Sequence, residues 1–286
     1  MKRLKRFTIL LLVMAMMLMC SGCGKMTAQT LAAKMAVAVA KKPMTQEKIV
    51  MEFEMSIGAQ GITLNLDMDM TMDMIMSMDP YRAYTNMDMT MEMLGQSYSD
   101  SMEMYIQEED GSMTTYSYTA SADQWAKQTV ELTEDMKTVD YTWLKEKAAE
   151  DLILAEETQT IGDHEVYVLS CTITGAEMQE MMSNVGSMQE ALEEAGLSDF
   201  DMSALTVPMV MYIDTKTYLP VQMEMEIQGM SELMAGMMDA LLGEDAASLG
   251  MEIEIGKVTA VCTDIGYDDV EVPAVPQDAL DAEAIA

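Results

Sequence analysis

From Ile62 to Met93 apolar and polar residues alternate almost without a break, and this period of two constrains the fold more than any other feature of the chain. Ile62, Leu64, Leu66, Met68, Met70, Met72, Met74, Met76 and Met78 take the even positions. Thr63, Asn65, Asp67, Asp69, Thr71, Asp73 and Ser77 take the odd ones, and only Ile75 breaks the rule. After Asp79-Pro80 the phase reverses, so that Met87, Met89, Met91 and Met93 alternate with Asp88, Thr90 and Glu92. Successive side chains of a strand point to opposite faces, so the pattern predicts two strands sharing a methionine face and an acidic, hydroxyl-rich face. A helix would scatter the same residues around its whole circumference. Such a sheet is wet on one side and buried or cavity-lining on the other. At about 3.3 Å per residue the stretch 62–78 runs roughly 55 Å, beyond the usual strand, so a bend or bulge is expected within it.

The chain begins with an address. Lys2, Arg3, Lys5 and Arg6 precede an apolar run from Phe7 to Met19, which is too short to span a bilayer and reads as the core of a signal peptide. Ser21-Gly22-Cys23 resembles the lipobox of bacterial lipoproteins, in which the cysteine is acylated and becomes the mature N-terminus; Cys20 stands where that motif usually has leucine. This implies a diacylglyceryl anchor on Cys23 and a place on the outer face of the cell membrane, since two acyl chains hold a protein firmly.

The net charge is −33, and removal of the four leader bases makes the mature chain more acidic still. Nucleic acid and anionic headgroups are recognised by clusters of Lys and Arg, and none is evident in the mature sequence. No nucleic-acid partner is expected. Half of the residues are apolar and the acids are spread along the chain, which describes a folded acidic domain rather than a disordered one. Once Cys23 is acylated, Cys171 and Cys262 remain, each in a strand-like stretch. A disulfide between neighbouring strands and two separate buried thiols both fit, with the thiols favoured.

In order, the periodicities predict a helix over 27–42, then a hairpin whose first strand holds Ile49, Met51, Phe53, Met55 and Ile57 and whose second is the methionine strand. Further strands are expected over 102–106 and 113–119, closing at Trp125 and Lys127. Helical spacing covers 139–151, with Trp143, Leu144, Lys147 and Ala148 near one face. A hairpin of 152–161 with 165–174 follows, then a helix over 176–195, a hairpin of 207–214 with 219–228, a helix over 230–242 and a last strand over 252–265. The expected organisation is a signal peptide over 1–22, a lipidated tether over 23–26, one domain over 27–276 and an acidic tail over 277–286.

Catalysis is not expected, because His164 is the only histidine and it falls in a predicted turn. No zinc spacing, phosphate-cradling glycine loop or dinucleotide fingerprint is present, and no cofactor is expected. The 38 methionines admit three roles. They are flexible core filler, a cavity lining that repacks around varied ligands, or a thioether site for Cu(I). The last requires cross-strand partners, with Met87 to Met93 facing Met68 to Met78. Asp67, Asp69, Asp73, Asp88 and Glu92 form a solvated face without calcium-loop spacing.

The order of elements, with the segment Met211-Tyr212-Ile213-Asp214-Thr215-Lys216-Thr217-Tyr218-Leu219-Pro220-Val221, resembles the superfamily of LolA, LppX and LprG lipoprotein and lipid carriers. There an aspartate, a small or basic turn and Leu-Pro mark a hairpin. The segments Met104 to Lys127 and Val270-Glu271-Val272-Pro273 match in kind. The resemblance implies an α+β fold, with a curved antiparallel sheet forming a half-open barrel and helices covering its concave face. It also implies that the chain binds a lipid or acyl chain; the alternatives are a Cu(I)-sequestering envelope protein and a structural or sensory surface domain without a ligand, and a monomer is expected. Ile62, Leu64, Leu66 and the methionines of both strands are the expected cavity wall.

Overall fold

The computed structural model describes residues 26–59, 62–109, 111–131, 149–183, 202–235, 251–268 and 270–284, together with Leu144 and Lys147. The strands are β1 (Met44–Ala59), β2 (Ile62–Met78), β3 (Tyr81–Met93), β4 (Gln96–Glu109), β5 (Ser112–Thr119), β6 (Gln124–Glu131), β7 (Ile153–Leu154), β8 (Gln159–Ile161), β9 (His164–Thr174), β10 (Thr206–Asp214), β11 (Pro220–Glu226) and β12 (Met251–Tyr267). Helices α1 (Ala28–Val39), α2 (Gly175–Ser183) and α3 (Gln277–Leu280) accompany them. The strands make one sheet in the order β6-β5-β4-β3-β2-β1-β12-β11-β10-β9-β7, with β8 also on β9. Its pairings are antiparallel, and β6 and β7 lie at opposite ends, so the sheet is unclosed.

The long strand β2 carries no bulge: its register against β1 and against β3 shows no shift. Register shifts lie instead between β10 and β11, at Tyr212 and Ile213, and in β12, where Gly256 and Lys257 stand opposite Glu54, and Asp264 and Ile265 opposite Glu47. Two residues against one is a bulge, which kinks and twists its own strand. Glycine at the first bulge suits the close approach of Glu54, whose carboxyl lies 3.2 Å from where a Cβ would stand. Asp264 at the second has a φ of 52°.

Several elements are longer or more divided than the alternation suggests. Strand β3 begins at Tyr81, because its ladder to β2 continues through Ser77↔Arg82 and Met78↔Tyr81 after the methionine pattern stops. Strand β4 begins at Gln96, since backbone pairing with β3 holds the polar run Gln96 to Ser101 extended. Trp125 and Lys127 belong to a separate strand, β6, paired to β5. The stretch 152–161 is two short strands, β7 and β8, which both pair with β9. The expected helices over 139–151, 176–195 and 230–242 lie partly outside the described residues. Within these, Leu144 is helical and fully buried, Ala149–Asp151 is a 3-10 turn, and 175–183 and 230–235 are helical.

Helix α1 is capped by Thr27, whose hydroxyl accepts the N–H of Thr30 at 3.2 Å. It buries Leu31, Ala32, Met35 and Ala36. The first three join Leu144, Leu152, Leu169 and Cys171 of β9, Met209, Met211 and Ile213 of β10, Met223 of β11 and Cys262 of β12 in the main core, with Ile49 of β1 beside them. Five neighbouring strands span about 19 Å at their usual spacing, wider than one helix, so a cluster drawing on all five requires the sheet to curl. Helix α2 opens with a capping box, in which the Glu177 carboxylate accepts the N–H of Thr174 at 2.7 Å and the Thr174 hydroxyl accepts the N–H of Glu177 at 3.3 Å. Lys147, almost fully buried, reaches the same carboxylate at 2.6 Å and the Thr172 carbonyl at 2.7 Å.

A second cluster lies on the other side of the sheet. Tyr84, Tyr105 and Tyr116 stand in one row across β3, β4 and β5, and with Trp125 they pack against Val275 and the fully buried Ala279 of α3. The face expected to be uniformly wet is therefore covered where the 270–284 segment crosses it. Its acidic part remains open: Asp67, Asp69, Asp73, Asp88 and Glu92 are all exposed.

Candidate functional site

The register between β2 and β3 places the two methionine series directly opposite each other. Leu66 faces Met93, Met68 faces Met91, Met70 faces Met89 and Met72 faces Met87. Residues directly opposite across an antiparallel pair point to the same face, with Cβ atoms about 4.5–5.5 Å apart. The series extends to both neighbours. Met51 of β1 faces Met70, Phe53 faces Met68 and Ile57 faces Leu64, while Met102 of β4 faces Met87 and Met104 faces Thr85. The face thus contains continuous rows, Met51-Met70-Met89 and Ile49-Met72-Met87-Met102. Through Ile49, which pairs with Cys262, it runs without interruption into the wall that α1 covers.

Leu64, Leu66, Met68, Met70, Met72, Met74 and Met78 are half-buried, as are Met87, Met89, Met91 and Met93, whereas Met76 is buried. Ile62 pairs with Ala59, and its side chain lies outside the described residues. Among the described residues none of the methionines of β2 and β3 belongs to a packed core cluster. The wall is also wider than the two expected strands, since Met51, Phe53, Met55, Met102, Met104 and Ile106 share it. Once β2 is aligned antiparallel with its neighbours, the phase of each strand's alternation identifies these residues.

The remaining polar groups build turns and ends. Asp214 Oδ1 accepts the N–H groups of Lys216 and Thr217 at 2.9 and 2.7 Å and the Thr217 hydroxyl at 3.0 Å, while its Oδ2 accepts Nδ1–H of His164 at 2.9 Å. Burial opposes charge on this carboxyl, but the hydrogen bonds from His164, the two backbone amides and Thr217 outweigh it and hold it down at about 2. His164 is an exposed hairpin histidine as expected, and its ring is in addition hydrogen-bonded to Asp214. The arrangement ties the β8–β9 hairpin to the β10–β11 turn, as does the bond from Thr215 N–H to the Glu165 carbonyl at 2.9 Å. No nucleophile completes a triad among these contacts.

Cys171 and Cys262 are free and buried. They sit on β9 and β12, with β10 and β11 between, roughly 14 Å apart at the usual strand spacing and too far for a disulfide. Burial pushes the Cys171 thiol up to about 11. Burial, and then the carboxylate of Glu47 accepting its S–H at 3.2 Å, pushes Cys262 further up. Among the described residues no group of three or more His, Cys, Asp or Glu is placed to hold a metal ion.

In solved structures the chain is similar to LprF from Mycobacterium bovis, at 10% identity and a TM-score of 0.38, covering 86% of this chain and 96% of that one. It is also similar to a DUF1329 family protein from Desulfovibrio piger, at 11% identity and a TM-score of 0.24 over 85% and 92% of the two chains. A third is a beta-barrel-like protein of the domain of unknown function DUF1849 from Brucella abortus, at 10% identity and a TM-score of 0.26 over 78% and 98%. These likenesses are loose. No curated protein matches the chain. Residues 27–240 match the model of a family of unknown function, DUF6612, and the chain belongs to that family.

Proposed function

We propose that this protein is a cell-surface lipoprotein, anchored through acylated Cys23, which binds a lipid or another apolar ligand against its methionine face and catalyses no reaction. The observation that carries this reading is the half-buried wall of facing methionines, continuous with the core beneath α1 yet outside the packed clusters of the described residues. A methionine wall suits a ligand of variable shape, because an unbranched, polarizable side chain repacks at little cost. Removal of apolar area from water supplies the affinity, at about 25 cal/mol per Å² before the costs of ordering. The half-open barrel and the carrier role also follow from the motif resemblance of the hairpin Met211 to Val221. Anchoring rests on the Ser21-Gly22-Cys23 motif; among the described residues no helix is long and apolar enough to cross a bilayer.

Native mass spectrometry with lipid extraction, on the mature chain purified without detergent, tests this. A co-purifying lipid that is lost when Met70 and Met89 are both changed to Asp supports it. A bare mass that stays bare after incubation with membrane lipid removes it.

One observation favours a second reading, Cu(I) sequestration. The register pairs Met68 with Met91, Met70 with Met89 and Met72 with Met87, giving the cross-strand thioether partners such a site needs.

A further inference from the structure

The charge of this chain is divided unevenly. All 49 acidic residues lie from Glu47 onward, and the 46 residues before it contain none. Within the fold, the acid-free part is α1 and its flanks. While Leu31, Ala32, Met35 and Ala36 hold one side of α1 to the sheet, Thr30, Lys34 and Val37 are exposed on the other, at the i+4 and i+3 spacing that puts residues on one side of a helix, and Lys41 is exposed in the turn that follows. Lys34 reaches across to the β10–β11 turn, where its Nζ lies 4.3 Å from the centre of the Tyr218 ring and 3.0 Å from its hydroxyl. Between helix and turn runs an open groove of about 930 Å³, floored by Ala33, Ala38, Thr217 and Leu219. Lys216 is exposed at the tip of the same turn. Lys42 is paired with Asp268, so Lys34, Lys41 and Lys216 supply the patch's positive charge. Val37, 49% exposed, stands between two of them.

We propose that this outer side of α1, with the β10–β11 turn, is a docking surface for the anionic phospholipid headgroups of a bilayer. Three observations select that occupant. The patch, which no single stretch of sequence shows because the fold brings Lys216 beside Lys34 and Lys41, is cationic on a strongly acidic body, so an anionic surface attracts it and repels the rest, which fixes orientation as well as contact. An exposed valine amid lysines suits an interface where charged headgroups overlie acyl chains. Cys23 precedes the helix cap Thr27 by four residues, at most about 14 Å of chain, so a domain anchored there holds α1 close to the membrane. The acidic face of β2 and β3, beyond a Debye length of about 8 Å, contributes little repulsion at physiological salt. Each lysine near such a surface strengthens association roughly fivefold, too little to recruit the protein unaided but enough to set a tethered one.

The test holds residues 23–286, which include every described element, on vesicles through an N-terminal hexahistidine and a nickel-chelating lipid, so that its outcome is independent of acylation. A fluorophore is placed at Val37→Cys, or at Leu94→Cys in the β3–β4 turn. Leu94 is 78% exposed and about 40 Å along β3 from the end where Pro43 meets Met78. Quenching by brominated lipid is compared between phosphatidylcholine vesicles and vesicles with 30% phosphatidylglycerol. We expect the label at position 37 to be quenched severalfold more on the anionic vesicles, and the label at 94 on neither. Combining Lys34→Glu, Lys41→Glu and Lys216→Glu should return position 37 to its level on neutral vesicles. Lys41→Glu alone, at an exposed site that does not threaten folding, should give a partial loss. Equal quenching at both positions, or quenching at 37 indifferent to lipid charge or to the lysines, overturns the proposal. Full displacement by millimolar inorganic phosphate would mark a small-anion pocket and also overturn it.

Discussion

Ile75 of β2 lies directly opposite Tyr84 of β3, on the face of the sheet away from the methionines. Tyr84 lies 4.9 Å, ring centre to ring centre, from Tyr105 with the rings tilted by 51°, Tyr105 lies 5.9 Å from Trp125, and the cluster is closed by Ala279 and Val275. The single apolar residue on the acidic face of β2 therefore stands beside the aromatic cluster that the C-terminal segment closes over β5 and β6. Its neighbours Asp73 and Thr71, one and two steps further along the same face, are paired with Asn86 and Asp88 and lie outside the aromatic cluster.

Replacing Ile75 by Thr removes apolar contact at the margin of that cluster and places a hydroxyl beside Tyr84. The expected cost is about 1 kcal/mol, and Ile75→Asp should cost ~2 kcal/mol or more, because a carboxylate there loses water without gaining a partner. Asp73→Asn, on the same strand and face but open to solvent, should change stability by less than ~0.5 kcal/mol. Urea unfolding of the three variants checks the order; equal effects at 75 and 73 would mean that Ile75 gains nothing from its place beside Tyr84.

Asp214 makes the stability of the fold depend on acid. Its carboxyl is held at about 2, below the ordinary 3.8, so the charged form is favoured by folding. The contribution is fully present above the unfolded value and is lost as the pH falls toward 2. The size of the depression corresponds to roughly 2 kcal/mol at neutral pH. Asp214→Asn should be destabilised by about that much at pH 7, and its difference from the parent should shrink between pH 4 and pH 2. Thermal unfolding across that range reads the convergence directly. A difference that persists unchanged at pH 2 would assign the loss to packing rather than to the charged hydrogen bonds.

Much of this architecture is readable before any coordinates, for a physical reason that differs from element to element. Period-two alternation in β2 is legible because both of its neighbours run in unbroken register with it, so each side chain keeps its face for the whole strand. The start of β3 is not legible, because Ala83 and Thr85 occupy buried positions on the methionine side where an apolar pattern would need large side chains. The bulges of β12 escape notice for a related reason. Gly256 and Asp264 look like ordinary breaks, and only the pairing with Glu54 and Glu47 shows that they bulge this strand while the register of β2 stays unbroken. The candidate wall was half visible. Two methionine strands announce themselves by composition, whereas Met51 and Met102 join them only through cross-strand registers, which sequence periodicity alone does not set.

The two internal cysteines should behave as inert core residues. Both thiols are pushed upward by burial, Cys171 to about 11, so neither supplies thiolate at neutral pH. Ellman's reagent should label the folded mature chain, carrying Cys23→Ser, far more slowly at pH 7 than the same chain in urea. The unfolded chain should release two equivalents without prior reduction. Fewer than two would indicate a disulfide and contradict the separation of β9 and β12.

The methionine face itself distinguishes its two proposed uses through sulfur. Leucine is close to methionine in volume and apolarity, so Met70→Leu, Met72→Leu, Met89→Leu and Met91→Leu together keep the wall greasy and remove the thioethers. These four occupy adjacent rows, Met70 facing Met89, Met72 facing Met87 and Met68 facing Met91. If the wall holds an apolar ligand, the fourfold variant should retain lipid binding within a few-fold of the parent, at a stability cost under ~1.5 kcal/mol per site. If the rows hold Cu(I), metal uptake measured against a Cu(I)-chelating dye should vanish while the fold, followed by circular dichroism, stays intact. Lipid retention by the parent and the fourfold variant, with no Cu(I) uptake by either, would leave the carrier reading alone. The opposite pattern, metal bound by the parent and lipid by neither, would move this face from lipid chemistry to soft-metal chemistry.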